Sequence, residues 1–222
     1  EDNYLTTADA VEEAHTVANC SLSSWEYMRT IDPTEIEARA FYKYLTSSVA
    51  PRPIALVSSM DSNGNINLAP FSFFNMMGIN PPILVFAPNK RSTDHSDKHT
   101  ALNVFEVPEV VINLVDSKMV HQISLASADF ERGINEFEKV GFTAIQSHKV
   151  KPPRVLESPA QFECKVIDIV QRGTMVLVIS EVIMAHFSET ILDENGQIQQ
   201  PKTDWVARLG GDWYLGGFQN QL

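Results

Sequence analysis

Cysteine is almost missing from this chain, with only Cys20 and Cys164 present. Two thiols build neither a disulfide framework nor a metal cluster, so reduced thiols in an intracellular setting are expected. Histidine is sparse too, six residues in all. Only His95 and His99 in "HSDKH" have the spacing of two ligands on one helical face, and the Ser, Thr and Asp around them favour a solvated loop, so no metal is expected. No apolar run reaches the length of a membrane-crossing helix, and the first residues lack the basic-then-apolar pattern of a secretion signal; the expectation is a cytoplasmic protein with no membrane partner. Basic residues are outnumbered 17 to 28, a net charge of −11, which disfavours nucleic acid as a partner. Walker loops and nucleophile elbows are absent, and the glycines of "GGDWYLGG" lie where no helix and strand follow to complete a dinucleotide fingerprint. No acid–base dyad stands out, so no catalytic side chain is named.

What is present is strand-forming sequence. Hydrophobic residues make up 44% of the 222, enough for one large domain. "IALVSS", "INLAPFSFF", "ILVFAP" and "EVVINLV" read as short strands, and Asn63-Gly64 marks a hairpin between the first two. "QFECKVIDIV" and "TMVLVISEVIMAHF" read as two long strands around a turn at Arg172-Gly173. "SKMVHQISLAS" and "INEFEKVG" read as short surface helices. Asp32, Pro33 and Glu35 predict a helix start, with the end near Leu45. Apolar spacing predicts another helix from Thr7 to Asn19, within an extension of residues 1–30 that precedes a domain of residues 31–222. Hairpins outnumber helical crossovers, so the expected fold is mainly β, an antiparallel barrel with peripheral helices.

Two segments suggest a ligand. Between Pro88 and Asn103, Lys90, Arg91 and Lys98 outweigh Asp94 and Asp97, a local excess of one positive charge in an acidic chain. "HTALNV" can open a helix whose free N–H groups attract an anion, so the segment is a candidate phosphate site; a solvated mixed-charge loop has the same composition. In "NLAPFSFFN", Pro70 is expected to interrupt strand pairing and free the backbone of Ala69 and Phe71 for a ligand. Strand alternation is expected to send Phe71 and Phe73 to one face, Ser72 and Phe74 to the other. Aromatics that merely fill a barrel read the same way.

"SSVAPRPIALVSS", "NLAPFSFFN", Pro81-Pro82 before a strand, "KHTALN", "VKPPRVLESPAQFECKV" and "ARLGGDWY" occur in an order that resembles the flavin reductase-like family of FMN-binding split barrels, which includes flavoredoxin. The resemblance covers roughly residues 40–215. It implies a six-stranded Greek-key split barrel and a homodimer with FMN near the interface. It further implies FMN contacts at Ser58, Ser59, Asn67, Ala69, Pro70, Phe71, Ser72, Phe73 and Phe74, with Lys98, Thr100 and Asn103 on the phosphate side beside Arg91. His99 stands where the family commonly has Asp. Arg208, Gly210, Gly211 and Tyr214 match the C-terminal motif, which places Arg208 and Tyr214 on the substrate side with Trp205 and Trp213 nearby. The implied activity is an oxidoreductase passing electrons from NAD(P)H through FMN to free flavin or another acceptor; the alternative is a non-catalytic flavoprotein carrying electrons between protein partners.

Overall fold

A computed structural model describes residues 28–91 and 94–217, so the helix expected over Thr7–Asn19 lies outside the described residues. The chain divides into two compact units between Tyr44 and Leu45. Helix α1 spans Ala38–Ser48 and so begins and ends later than its Asp-Pro signal predicts. Asp32 instead closes a local turn, its carboxylate accepting from the Thr34 amide (2.8 Å) and hydroxyl (2.7 Å). An Asp side chain that bonds two residues ahead favours such a turn over helix propagation.

In the second unit, strands β2 (Ala55–Met60), β3 (Ile66–Phe71), β4 (Phe74–Ile79), β5 (Pro82–Phe86), β6 (Glu109–Leu114), β9 (Ala160–Arg172) and β10 (Met175–Phe187) form one antiparallel sheet in the order β3-β2-β6-β9-β10-β5-β4. β1 (Arg52–Pro53) pairs with β11 (Ala207–Arg208), which pairs with β12 (Tyr214–Leu215); β7 (Ala144–Ile145) and β8 (Arg154–Val155) form a small ladder. The sheet has seven strands where six were expected, because "INLAPFSFF" is two strands rather than one. β3 and β4 lie at opposite ends of the sheet, yet only Ser72 and Phe73 separate them. Six gaps of about 4.8 Å would hold the ends of a flat sheet roughly 29 Å apart. Three residue steps reach about 11 Å at most. The sheet therefore curls until its ends meet, which is the barrel.

The same break corrects two expectations. Pro70 does not interrupt the ladder: it stays in register opposite Leu56, tolerated because β3 is a terminal strand. Phe71 is buried and packs on Phe86 (5.6 Å), whereas Phe73 is exposed, so the two do not share a face.

The Asn63-Gly64 hairpin forms as its sequence predicts, with Gly64 at φ 87° and the Asp61 carboxylate accepting from the amides of Asn63 and Asn65. Strand β2 is buried on both faces, which explains its unbroken apolar run. Leu56 joins Leu68, Ile123 and Phe137 beneath helices α3 (Val120–Ala126) and α4 (Glu136–Val140). Ala55 and Val57 face the other cluster, with Phe71, Phe86 and Val104; Val104 belongs to α2 (His99–Glu106).

One carboxylate braces the lower barrel. Glu163 of β9 is fully buried and accepts from the backbone amides of His148 (2.8 Å), Lys149 (2.5 Å) and Val150 (3.2 Å), and pairs with His186 Nε2 at 2.7 Å. Burial raises its pKa, but the His148 and Lys149 amides and His186 outweigh that and hold it below the ordinary carboxylate value. Ser58 and Ser147 fasten the same 146–153 segment by donating to Pro153 O (2.5 Å) and Pro152 O (2.5 Å). Replacing Glu163 with Ala should cost about 3–5 kcal/mol, because three amides and a histidine lose their acceptor. A depressed carboxyl contributes stability above its unfolded pKa and loses it as pH falls through the folded one. Thermal melts from neutral pH to about pH 3 should therefore fall more steeply for the native protein than for Glu163→Gln in the acid part of that range; parallel curves would remove Glu163 from that role.

Candidate functional site

A groove opens where β3 passes the start of α2. Asn67, Ala69 and Pro70 line one side; Arg91, Lys98, His99 and Thr100 line the other, with Asp129, Phe130 and Glu136 closing it. Segments far apart in sequence meet here because the β2–β3 hairpin places β3 beside the helix that follows β5.

Helix α2 begins after Lys98, and no side chain caps it. Helix starts normally use Ser, Thr, Asn or Asp to satisfy their first N–H groups. A lysine at that position leaves these donors, with the positive end of the helix dipole, for an anion. Lys98 forms no salt bridge among the described residues; its Nζ lies 5.7 Å from the centroid of the Phe71 ring, a cation–π contact. Burial lowers its pKa, opposed by the nearby Asp129 carboxylate.

Arg91 organises the loop rather than standing free. Its Nη1 donates to Asp97 O (2.8 Å) and Ser96 Oγ (3.3 Å), its Nε faces Asp129 Oδ1 (3.4 Å), and its Nη2 meets His99 Nε2 at 3.2 Å. A guanidinium has no lone pair to offer, so His99 Nε2 is the acceptor and its proton sits on Nδ1. Burial, then the Arg91 charge, lowers the His99 pKa and favours this neutral form. His99, where the resemblance expects Asp, thus accepts from the loop. His95 sits in that loop at φ 57°, off α2, so the two histidines share no helical face; among the described residues no cluster of metal ligands occurs.

The Asn67 amide must direct its nitrogen to Glu136 Oε1 (3.1 Å), because the opposite orientation sets two acceptors against each other. Its oxygen then accepts from the Thr100 hydroxyl (3.0 Å) and the Leu68 amide (3.1 Å).

The remaining predicted residues fall elsewhere. Ser58 and Ser59 are fully buried within β2, and Asn103 Nδ2 donates to Ser59 Oγ (3.1 Å). Phe74 lines a second, nearly all-apolar cavity of about 450 Å³ with Met76, Leu84, Phe162, Trp205 and Val206. Ser72 and Phe73 form the link between strands; Phe73 lies under Arg52 at 6.0 Å. Arg52 of "PRP" donates to Thr46 O (2.6 Å) and to Leu209 O (3.0 Å), joining the start of the second unit to its C-terminal strands. Arg208 stacks on Tyr214 at 4.5 Å and donates to Gly211 O (2.6 Å) and Asp212 (3.2 Å), away from the Asn67–Thr100 groove. At Gly210 a Cβ would stand 3.0 Å from Ser47 Cα, so that turn requires glycine.

Glu136 and Asp129 were not foreseen. Glu136, Phe137 and Val140 form the buried face of α4, and the i, i+4 relation of Glu136 to Val140 was the available signal. Asp129 had none, since "ASADF" is an unpatterned loop.

The flavin reductase like domain family model matches residues 47–202. An uncharacterised protein of Aquifex aeolicus is 36% identical over 184 residues, 83% of this chain and 93% of its own. The 2-nitrobenzoate 2-nitroreductase NbaA of Pseudomonas fluorescens superposes with a TM-score of 0.79 at 33% identity, over 87% of this chain and 94% of that one. Nitrilotriacetate monooxygenase component B of Bacillus cereus does so with 0.81 at 29% identity, over 88% and 98%. Together with the curled antiparallel sheet, these matches show that the chain belongs to the flavin reductase-like family and has its split-barrel fold.

Proposed function

We propose that the chain is an oxidoreductase that binds FMN along β3 and passes electrons from NAD(P)H to free flavin or another acceptor. The observation that carries this reading is the uncapped start of α2 with Lys98, facing Asn67, Ala69 and Pro70 across one groove. These residues fit the group: a cation and free helix N–H groups for the phosphate, and amide and hydroxyl groups for the polyol chain. When bound, FMN would supply the hydride-accepting ring that no side chain replaces. Lys98 would neutralise the phosphate, Arg91 holds the loop that presents Lys98, and Asn67 and Thr100 would take the chain hydroxyls. Main-chain N–H groups between Ala69 and Phe74, other than at Pro70, which has none, would face the ring edge in place of titrating side chains and favour the ring's reduced form. Phe71 keeps water from that side.

The apolar cavity beside Trp205 has the size usual for a ring-binding site and is the proposed entry for nicotinamide or acceptor; Arg208 follows its lining residue Ala207 in the chain and stacks on Tyr214. The exposed apolar residues Met76, Met77 and Ile79 of β4, a terminal strand, are proposed as the homodimer face. One observation favours the electron-carrier reading instead: the Arg208 guanidinium is already engaged by Tyr214, Gly211 and Asp212.

Flavin titration followed by fluorescence tests the groove. Lys98→Ala should weaken FMN about 10- to 100-fold, as expected for a charged hydrogen bond, and leave riboflavin unchanged. Folded native protein that binds no FMN would reject the proposal outright. Steady-state NADH and NADPH oxidation with added FMN tests the second cavity: Trp205→Ala and Arg208→Ala should each raise the apparent KM several-fold, and no turnover by the native protein would establish the carrier reading. Mass in solution tests the dimer; Met76→Asp with Ile79→Asp should yield a monomer, and a native monomer would remove that face from the model.

A further inference from the structure

The groove proposed for the flavin phosphate contains a carboxyl that an anion site does not need. Glu136 is only 4% exposed, and its hydrogen bonds come from neutral donors, the Asn67 amide at 3.1 Å and the Leu68 N–H at 3.3 Å, which it shares with the Asn67 oxygen. The charged and titratable groups around it are committed elsewhere. From the loops, Arg91 engages Asp129 and His99, and Arg132 pairs with Glu106 at 2.8 Å; Asp61 is held by Asn65 at 2.8 Å. Lys98 shares the groove but forms no ion pair with Glu136, and His99 is neutral. β3 contributes only Asn67 and Leu68. A buried carboxylate without a cation strongly favours its neutral form, and a second anion nearby increases that preference. Consistently, burial raises the Glu136 pKa above the ordinary value.

Given the FMN reading above, we propose that Glu136 couples flavin capture to proton uptake: entry of the phosphate drives a proton onto Glu136, so FMN is held more tightly in acid and released as pH rises. Asn67 is the mechanical link. It donates to Glu136 and accepts from Thr100, so the state of the carboxyl is felt where the ligand's polar chain lies. The sign follows from linkage: between the Glu136 pKa of the free protein and its higher value in the complex, binding takes up a proton and affinity falls with increasing pH.

The test is calorimetry of FMN binding to the full-length protein in buffers of different ionisation enthalpy, from about pH 5 to pH 9, a span that brackets raised carboxyl pKa values. Relative to Glu136→Gln, the native protein should take up as much as about one more proton per FMN, with Kd rising up to about tenfold more per pH unit in that window. Riboflavin, lacking the phosphate, should drive little uptake in either protein. Should Glu136→Gln fail to fold, His99→Asn, Asp129→Asn and Lys98→Arg decide, since His99, Asp129 and Lys98 are the other groove side chains able to gain a proton: uptake that persists in all three supports the proposal, and uptake lost with any one of them overturns it. Equal uptake by native protein and Glu136→Gln at every pH, with FMN bound, overturns the coupling alone. Native protein that binds no FMN overturns the coupling together with the function on which it rests.

Discussion

The two-residue link Ser72-Phe73 constrains everything else. It joins the opposite ends of a seven-stranded sheet, and so short a link forces the sheet to close on itself. Closure fixes which face of β2 and β3 meets the barrel interior and which meets α3 and α4. It also leaves β3 terminal, paired with β2 alone, and α2 settles beside it. The groove is thus a by-product of closure: a terminal strand with one vacant flank and a helix start brought alongside.

Two buried glutamates show how local donors decide charge. Glu163 and Glu136 are both nearly inaccessible to water. Glu163 meets consecutive amides and a histidine and stays ionised, which makes it a brace for the 146–153 segment. Glu136 meets its own amide, a shared Leu68 amide and one side-chain amide, too few to offset desolvation, so its pKa is raised. Equal burial thus gives one structural anchor and one responsive group. The difference lies in the fold: the 146–153 segment wraps around Glu163, whereas α4 only leans on β3.

Much of this was legible in the sequence. Every long strand was, because alternating or doubly apolar runs and Asn-Gly or Arg-Gly turns act locally. The polar loop and the α2 start read as a candidate anion site because their charge stands out against an acidic chain, and that candidate is what the proposed function rests on. Less legible was anything that depends on closure. The division of "INLAPFSFF" follows from a sheet with seven members, and no local signal in Phe71 or Phe73 distinguishes a buried ring from an exposed one. Ser58, Ser59 and Asn103 read as polar groups near a ligand; the sequence did not show that Ser58 bonds to Pro153 from β2, or that Asn103 of α2 bonds to Ser59. Glu136 was hidden for the opposite reason: an acidic residue in the first turn of a short helix looks like ordinary dipole complement.

Pro70 has one more consequence. A strand with a vacant flank invites a foreign strand to add to it, the usual route to edge-to-edge aggregation. Proline offers no N–H there, so an intruding chain finds the row of donors broken in the stretch that lines the groove. The residue that lines the groove proposed for a small molecule thereby denies the same ledge to other polypeptides.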